Sequence, residues 1–184
     1  MVFEWCILSR IRLLEGIEEM SHTFNWCVNK TRLTIYDKQL FYINRNGTKR
    51  WYLNGKLHRV DGPAIEYANG TKWWYLNGEL HRVDGPAVEY TNGDKYWFLN
   101  GELHRENGPA IEYANGNKEW YLNGQLHRLD GPIIEYVDGR KEWVLNGKHH
   151  RENGPAIEYA NGTKEWWLNG KEYSESDYWK ELRK

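Results

Sequence analysis

The sequence predicts an all-β protein, an elongated antiparallel sheet of stacked hairpins built from tandem 23-residue units, with short helical segments at its ends. Three observations carry that prediction. Tryptophan recurs at a fixed interval, at Trp51, Trp74, Trp97, Trp120, Trp143 and Trp166. Every full unit holds two Asn-Gly or Asp-Gly dipeptides between aromatic and β-branched residues, the strongest short-range hairpin signal. All five prolines fall in an Asp/Asn-Gly-Pro step, such as Asp61-Gly62-Pro63, where a residue without an N–H bends the return strand.

Taken in chain order, residues 1–25 place Phe3, Ile7, Ile11, Leu14 and Ile17 at helical spacing, interrupted by Arg10 and Glu18. Residues 26–173 form the repeat array: a worn copy from Trp26 to Lys49, five full units and a truncated sixth beginning at Trp166. No helix is expected between residues 50 and 172, and their strands are expected to join one continuous sheet. Residues 174–184 read as a capping helix, with Ser174 and Asp177 ahead of Tyr178-Trp179-Lys180-Glu181-Leu182. Such a helix would cover the last strand edge.

If every Asn-Gly turn is a two-residue loop, counting outward sets the register. Around Asn69-Gly70, Glu66 then faces Trp73 and Ile65 faces Trp74; around Asn77-Gly78, Tyr75 faces Leu80 and Trp74 faces His81. Alternation puts Ile65, Tyr67, Trp74, Leu76 and His81 on an inner face, and Ala64, Glu66, Trp73, Tyr75 and Arg82 on an outer one. The outer face then carries transverse rows such as Glu66-Trp73-Arg82 and Glu89-Tyr96-Arg105.

Composition excludes several classes of function. A net charge of −1 leaves no electrostatic footprint for nucleic acid or an anionic membrane. Eleven Trp and 13 Tyr against four Phe suit half-exposed surfaces rather than a deep interior. Cys6 and Cys27 are too few for a disulfide framework, and Met1–Leu14 lacks an uninterrupted apolar stretch, so a cytoplasmic protein is expected.

The His-Arg pairs at His58-Arg59, His81-Arg82, His104-Arg105, His127-Arg128 and His150-Arg151 are the one tempting catalytic element. Equivalent histidines would lie roughly 10 Å apart, two strand spacings, too far to share a metal ion. An enzyme assembles one asymmetric constellation, whereas each candidate here is copied five times. The expectation is therefore no catalysis, no metal and no cofactor, with each His packed beside the Trp across its turn.

Function should reside where the copies differ. The outer position held by Trp73 and Tyr96 becomes Glu119 and Glu142 in later units. Together with Tyr52, Tyr75, Phe98 and Tyr121, and with Arg82 and Arg105 at the rim, these aromatics form a candidate binding strip of residue types enriched at interface hot spots.

The 23-residue period and the core Trp51-x-x-Asn54-Gly55-x-x-His58 resemble the MORN repeat over residues 26 to about 173. The resemblance implies elongated sheets of stacked hairpins that act as protein scaffolds, dimerise, or in some members contact phospholipid; one branch is labelled as antitoxins. Similar Trp-Tyr-x-Asn-Gly-x-x-His-Arg-x-Asp-Gly-Pro-Ala arrays occur in phages, large DNA viruses and bacteria. This chain departs from the MORN pattern where Arg59 and its equivalents replace a Gly, and in its added Gly-Pro bend. The leading expectation is a noncatalytic scaffold that binds a protein partner, with a viral counter-defence or antitoxin-like role as its extension. The alternatives are a protein that sequesters a small nucleotide-like anion, and a phospholipid-binding module. A homodimer is also compatible with the pattern; specific nucleic acid and membrane are not expected partners.

Overall fold

The computed structural model describes residues 24–28, 31–36 and 39–183. It is an all-β repeat protein; the described residues form a 16-stranded antiparallel sheet, four separate two-stranded hairpins and a C-terminal helix. The helix expected within residues 1–25 lies outside the described residues. No helix interrupts residues 50–172, and no helix among the described residues is long and apolar enough to cross a membrane.

The array opens with four longer strands, β1 (Phe24–Val28), β2 (Thr31–Tyr36), β3 (Gln39–Ile43) and β4 (Lys49–Leu53), paired as a meander. Thereafter each of the first four full units gives the long sheet two dipeptide strands, and the sheet ends in the longer pair Lys164–Leu168 and Lys171–Tyr173. In the first full unit the dipeptide strands are Ile65–Glu66 and Lys72–Trp73; the chain then leaves the sheet to form the second unit's hairpin, Tyr75–Leu76/Glu79–Leu80. The expected single continuous sheet is thus divided into a sheet and a row of hairpins beside it. The division falls at Trp74, whose N–H donates to the Ala87 carbonyl in the sheet while its own carbonyl accepts from His81 in the hairpin. Proline deepens the division, because Pro63 and Pro86 have no N–H with which to continue a ladder.

The two Asn-Gly steps of a unit make different turns. Asn77 and Gly78 both have positive φ, 54° and 91°, as a type I′ two-residue hairpin requires, and Tyr75 faces Leu80 as expected. At the sheet's tip, Gly70 N–H donates to Tyr67 O, Tyr67 N–H donates to Thr71 O, and only Gly70 has positive φ. That is a three-residue loop closed by a glycine bulge. It shifts the register by one, so Ile65 faces Trp73 and Glu66 faces Lys72. A one-residue shift exchanges the faces of a strand. Ile65 and Tyr67 therefore lie on the face of Trp73, not that of Trp74, which corrects the inner and outer sets derived from two-residue turns.

Ala64, Ala87, Ala110, Ile133 and Ala156 are essentially inaccessible, and Ile65, Val88, Ile111 and Ile157 are buried beside them, so each unit adds one small core step to a continuous column. The prominent motif residues surround that column. The Arg59 guanidinium lies 4.0 Å from the centre of the Trp51 ring and donates to Pro63 O, to Glu66 Oε1 at 3.2 Å and, through Nε, to Asp61 Oδ1 at 3.1 Å. Close against the guanidinium sits Gly62, where a Cβ would meet Arg59 Cζ at 2.9 Å; this close approach, not a positive φ, requires the glycine. Trp51, Arg59, Asp61, Gly62, Pro63 and Glu66 are thus one structural clasp. The stack recurs with guanidinium-to-ring distances of 3.8 to 4.1 Å at Trp74, Trp97, Trp120 and Trp143.

Histidine takes a role that the spacing did not reveal. His58 Nδ1 accepts from the Asn77 backbone N–H at 3.1 Å, so the first unit's imidazole caps the next unit's type I′ turn; His81 and His104 repeat this at Asn100 and Asn123.

At the far end, the predicted helix is present as α1 (Glu175–Glu181), capped by the Ser174 side chain, which accepts from Asp177 N–H. Tyr178 is fully buried against Trp166, ring centroids 4.9 Å apart, and its hydroxyl donates to Arg151 O and lies 3.3 Å from Gly154 N–H. The helix supplies what the next unit would have packed there.

Candidate binding face

The corrected register creates an aromatic ladder on one face of the long sheet. Val88 pairs with both Trp73 and Tyr96, which places the rows of neighbouring units side by side. Tyr67, Tyr90 and Tyr113, contributed by the strand ends just before the bulged turns, fill the spaces between them. Ring centroids run Tyr67–Trp73 5.4 Å, Trp73–Tyr90 6.3 Å, Tyr90–Tyr96 5.6 Å and Tyr96–Tyr113 6.1 Å, every contact edge-to-face. Such pairs each contribute about 0.5 to 1.5 kcal/mol beyond burial. Tyr90 is 40% exposed, and the Trp73 indole N–H is buried without a hydrogen-bond partner.

Tyr75 lies 6.3 Å from Trp73 and extends the ladder sideways. Phe98 and Tyr121 hold the same hairpin position in the next two units, facing Leu103 and Leu126. Tyr52 pairs with Leu40 and Leu57 at the start of the array and lines an open groove of about 480 Å³ with Phe41, Trp51 and His58.

Arg82 and Arg105 are placed differently from the sequence expectation. Neither rims the ladder. Arg82 stacks on Trp74 and donates to Asp84, Pro86 O and Glu89; Arg105 stacks on Trp97 and donates to Pro109 O and Glu112. The expected rows Glu66-Trp73-Arg82 and Glu89-Tyr96-Arg105 do not form, because each Arg pairs with the Glu seven residues after it. Tyr67, Tyr90 and Tyr113 were missed by sequence reasoning; the signal available was the longer tip Tyr-x-Asn-Gly-x, which accommodates a bulged turn.

No family model matches the chain, and no curated protein matches it. The geometry of this face therefore carries the functional reading.

The ladder ends where the variable residue becomes acidic. Glu119 accepts from the Tyr113 hydroxyl at 3.1 Å and the Tyr121 hydroxyl at 3.0 Å, so both its oxygens are engaged. Glu165 likewise accepts from Tyr159 and from the Trp167 indole N–H. Glu142 is buried between Arg140 and His149. Aromatic rows present ring surface outward, whereas acidic rows satisfy themselves internally.

Burial, reinforced by the Glu119 charge and by its hydrogen bond to the neutral hydroxyl, raises the pKa of Tyr113 and pushes that of Tyr121 up to about 12. The folded value lies above the unfolded value of 10.0, so this contribution to stability is complete below about pH 10 and is lost as pH rises toward about 12. Tyrosinate absorbance should show a late-titrating group in the folded protein, and Glu119→Gln should move it to lower pH. Identical alkaline titrations of parent and variant would show that Glu119 does not control these hydroxyls.

No group of three or more His, Cys, Asp or Glu side chains able to hold a metal ion occurs among the described residues.

Proposed function

We propose that this chain is a noncatalytic, MORN-like scaffold that binds a protein partner through the ladder Tyr67, Trp73, Tyr90, Tyr96 and Tyr113, with Tyr75 at its side. The observation supporting this reading is the asymmetry of the ladder. The repeats share one structural clasp, yet only the early units line the face with contiguous rings, and from Glu119 onward the same column is acidic. Rigid, partly exposed Tyr and Trp side chains give contact area at low conformational entropy, which favours an interface. A counter-defence or antitoxin-like inhibitor in the cytoplasm of a host cell extends this proposal and rests on the family resemblance alone. Sequestration of a nucleotide-like anion has less support, since Arg82 and Arg105 already have their guanidinium groups bound within the clasp.

The test replaces Trp73 and Tyr96 together by Glu, giving those rows the composition of the later ones. The variant should fold with parental far-ultraviolet circular dichroism and lose the partner recovered by the parent in a host-lysate pull-down, each anchor weakening binding by about 2 kcal/mol or more. Undiminished capture by the folded variant would remove the ladder from consideration. Thermal shift with nucleotide and flotation with anionic vesicles separate the two alternative functions, because a ligand raises the melting temperature only of the state that binds it.

A further inference from the structure

Thirteen of the 18 glycines follow Asn. In that dipeptide the unhindered glycine nitrogen can attack the Asn side-chain carbonyl carbon. The glycine N–H proton is lost, the N–Cγ bond forms, and the side-chain nitrogen departs as ammonia, leaving a five-membered succinimide. Water then opens either carbonyl to give Asp or isoaspartate. The attacking nitrogen must be free of its hydrogen bond, so the fold decides which of thirteen similar dipeptides reacts.

Ten of these glycine nitrogens donate a hydrogen bond. At the sheet tips the acceptor is a carbonyl within the same turn, as for Gly70 to Tyr67 O. In the type I′ hairpins it is a carbonyl of the preceding unit: Gly78 to Leu57, Gly101 to Leu80, Gly124 to Leu103 and Gly170 to His149. Gly154 donates to the Tyr178 hydroxyl. Three have no such bond among the described residues: Gly55, Gly108 and Gly147. Gly108 is shielded by the Arg105 guanidinium, where a Cβ would lie 3.0 Å from Cζ, whereas Gly55 and Gly147 are exposed with nothing within 4 Å of that position.

The two open positions have separate structural origins. Gly55 is in the first hairpin, which follows the β1–β4 meander rather than a full unit. Gly147 lies at a break in the row of hairpins. At the other four junctions the Arg N–H of one unit donates to the next hairpin, as Arg105 does to Tyr121 O, and the imidazole accepts from the turn Asn. Between Leu126–Arg128 and Val144–Gly147 these bonds are missing; Leu145 is 51% exposed, and His127 is exposed where its equivalents are half-buried.

We propose that Asn54 and Asn146 are the chain's sites of succinimide formation and deamidation, converted with water to Asp or isoaspartate. The other type I′ asparagines are protected by the bonds that tie each hairpin to the preceding unit. This inference is independent of the binding reading and concerns different residues.

The chain contains its own control. Asn54, Asn146 and Asn169 all sit in Leu-Asn-Gly-Lys, so their intrinsic reactivity is matched, but Gly170 N–H is bonded to His149 O and Asn169 N–H to His150 Nδ1. The full chain is incubated in mildly alkaline buffer, natively and in urea, and digested. Peptide mass spectrometry then quantifies amide-to-acid conversion, and an isoaspartate methyltransferase assay quantifies the isomer. In urea the three should convert at equal rates. In the native protein Asn54 and Asn146 should convert at least about tenfold faster than Asn169, a factor equivalent to about 1.4 kcal/mol, the scale of one backbone hydrogen bond. Equal native rates at the three positions, or a faster Asn169, would overturn the assignment.

Discussion

Trp97→Ala is expected to destabilise the protein by about 3 to 5 kcal/mol, the range for truncating a large packed aromatic side chain. The ring is only half-buried by area, but it forms one wall of the clasp. It is the face on which the Arg105 guanidinium rests at 4.0 Å, and Arg105 in turn holds Pro109 O and Glu112. Removing the ring leaves a partly buried cation without its aromatic partner and loosens the bend that carries Ala110 and Ile111 into the core. Because units stabilise their neighbours, a weakened third unit should also reduce the cooperativity of unfolding, visible as a shallower denaturant transition. Glu102→Ala, an exposed change in the same unit, should shift stability by less than about 0.5 kcal/mol. Comparable losses in the two variants would show that the stacked Trp is not a structural element of the array.

Tyr178→Ala should have a similarly large effect, about 3 to 5 kcal/mol, expressed locally rather than across the array. Tyr178 is fully buried, contacts Trp166 and Trp179, and offers its hydroxyl to Arg151 O and Gly154 N–H. Its loss uncovers Trp166 and Leu168 and leaves two backbone groups of the fifth unit without their partner. Hydrogen exchange should accelerate from residue 150 to the C-terminus while the early units keep their protection, as expected when a terminal cap of a repeat array frays. Tyr178→Phe separates the contributions: the ring remains, and the loss should fall to about 1 to 3 kcal/mol. Uniform acceleration of exchange along the whole chain would contradict a local capping role.

The period, the all-β class, the type I′ hairpins and the C-terminal cap were legible in the sequence because each rests on a local rule. Asn-Gly tolerates two consecutive positive φ values, Pro ends a ladder, and Ser174 with Asp177 marks a helix start. Part of the candidate face was legible too. Trp73 and Tyr96 were identified by the variation between copies and Tyr75 as an aromatic alongside them; the structure sets Tyr75 beside Trp73 and joins Trp73 to Tyr96 through Tyr90. Arg82 and Arg105 were misplaced because the ladder was continued past Trp74 and Trp97, where the chain passes from sheet to hairpin, and Tyr67, Tyr90 and Tyr113 were overlooked because the register at the sheet tips was counted from the wrong turn.

That turn could not be read locally, because the same Asn-Gly dipeptide makes both kinds. At Asn69 the side-chain oxygen accepts from Thr71 N–H, and only Gly70 takes positive φ. At Asn77 the backbone N–H is taken by His58, nineteen residues earlier, and Asn77 itself adopts a φ of 54°. The amino-acid sequence by itself determined the repeat, the positions of the turns and the residues available to fill them. Only the tertiary structure decided the turn type: the same dipeptide closes with both residues at positive φ in the hairpins, Asn54 and Asn146 included, and with glycine alone at the sheet tips, and the strand pairing on either side goes with one or the other. The turn type set the register by one residue, and in a two-faced strand one residue decides which side chains share a surface.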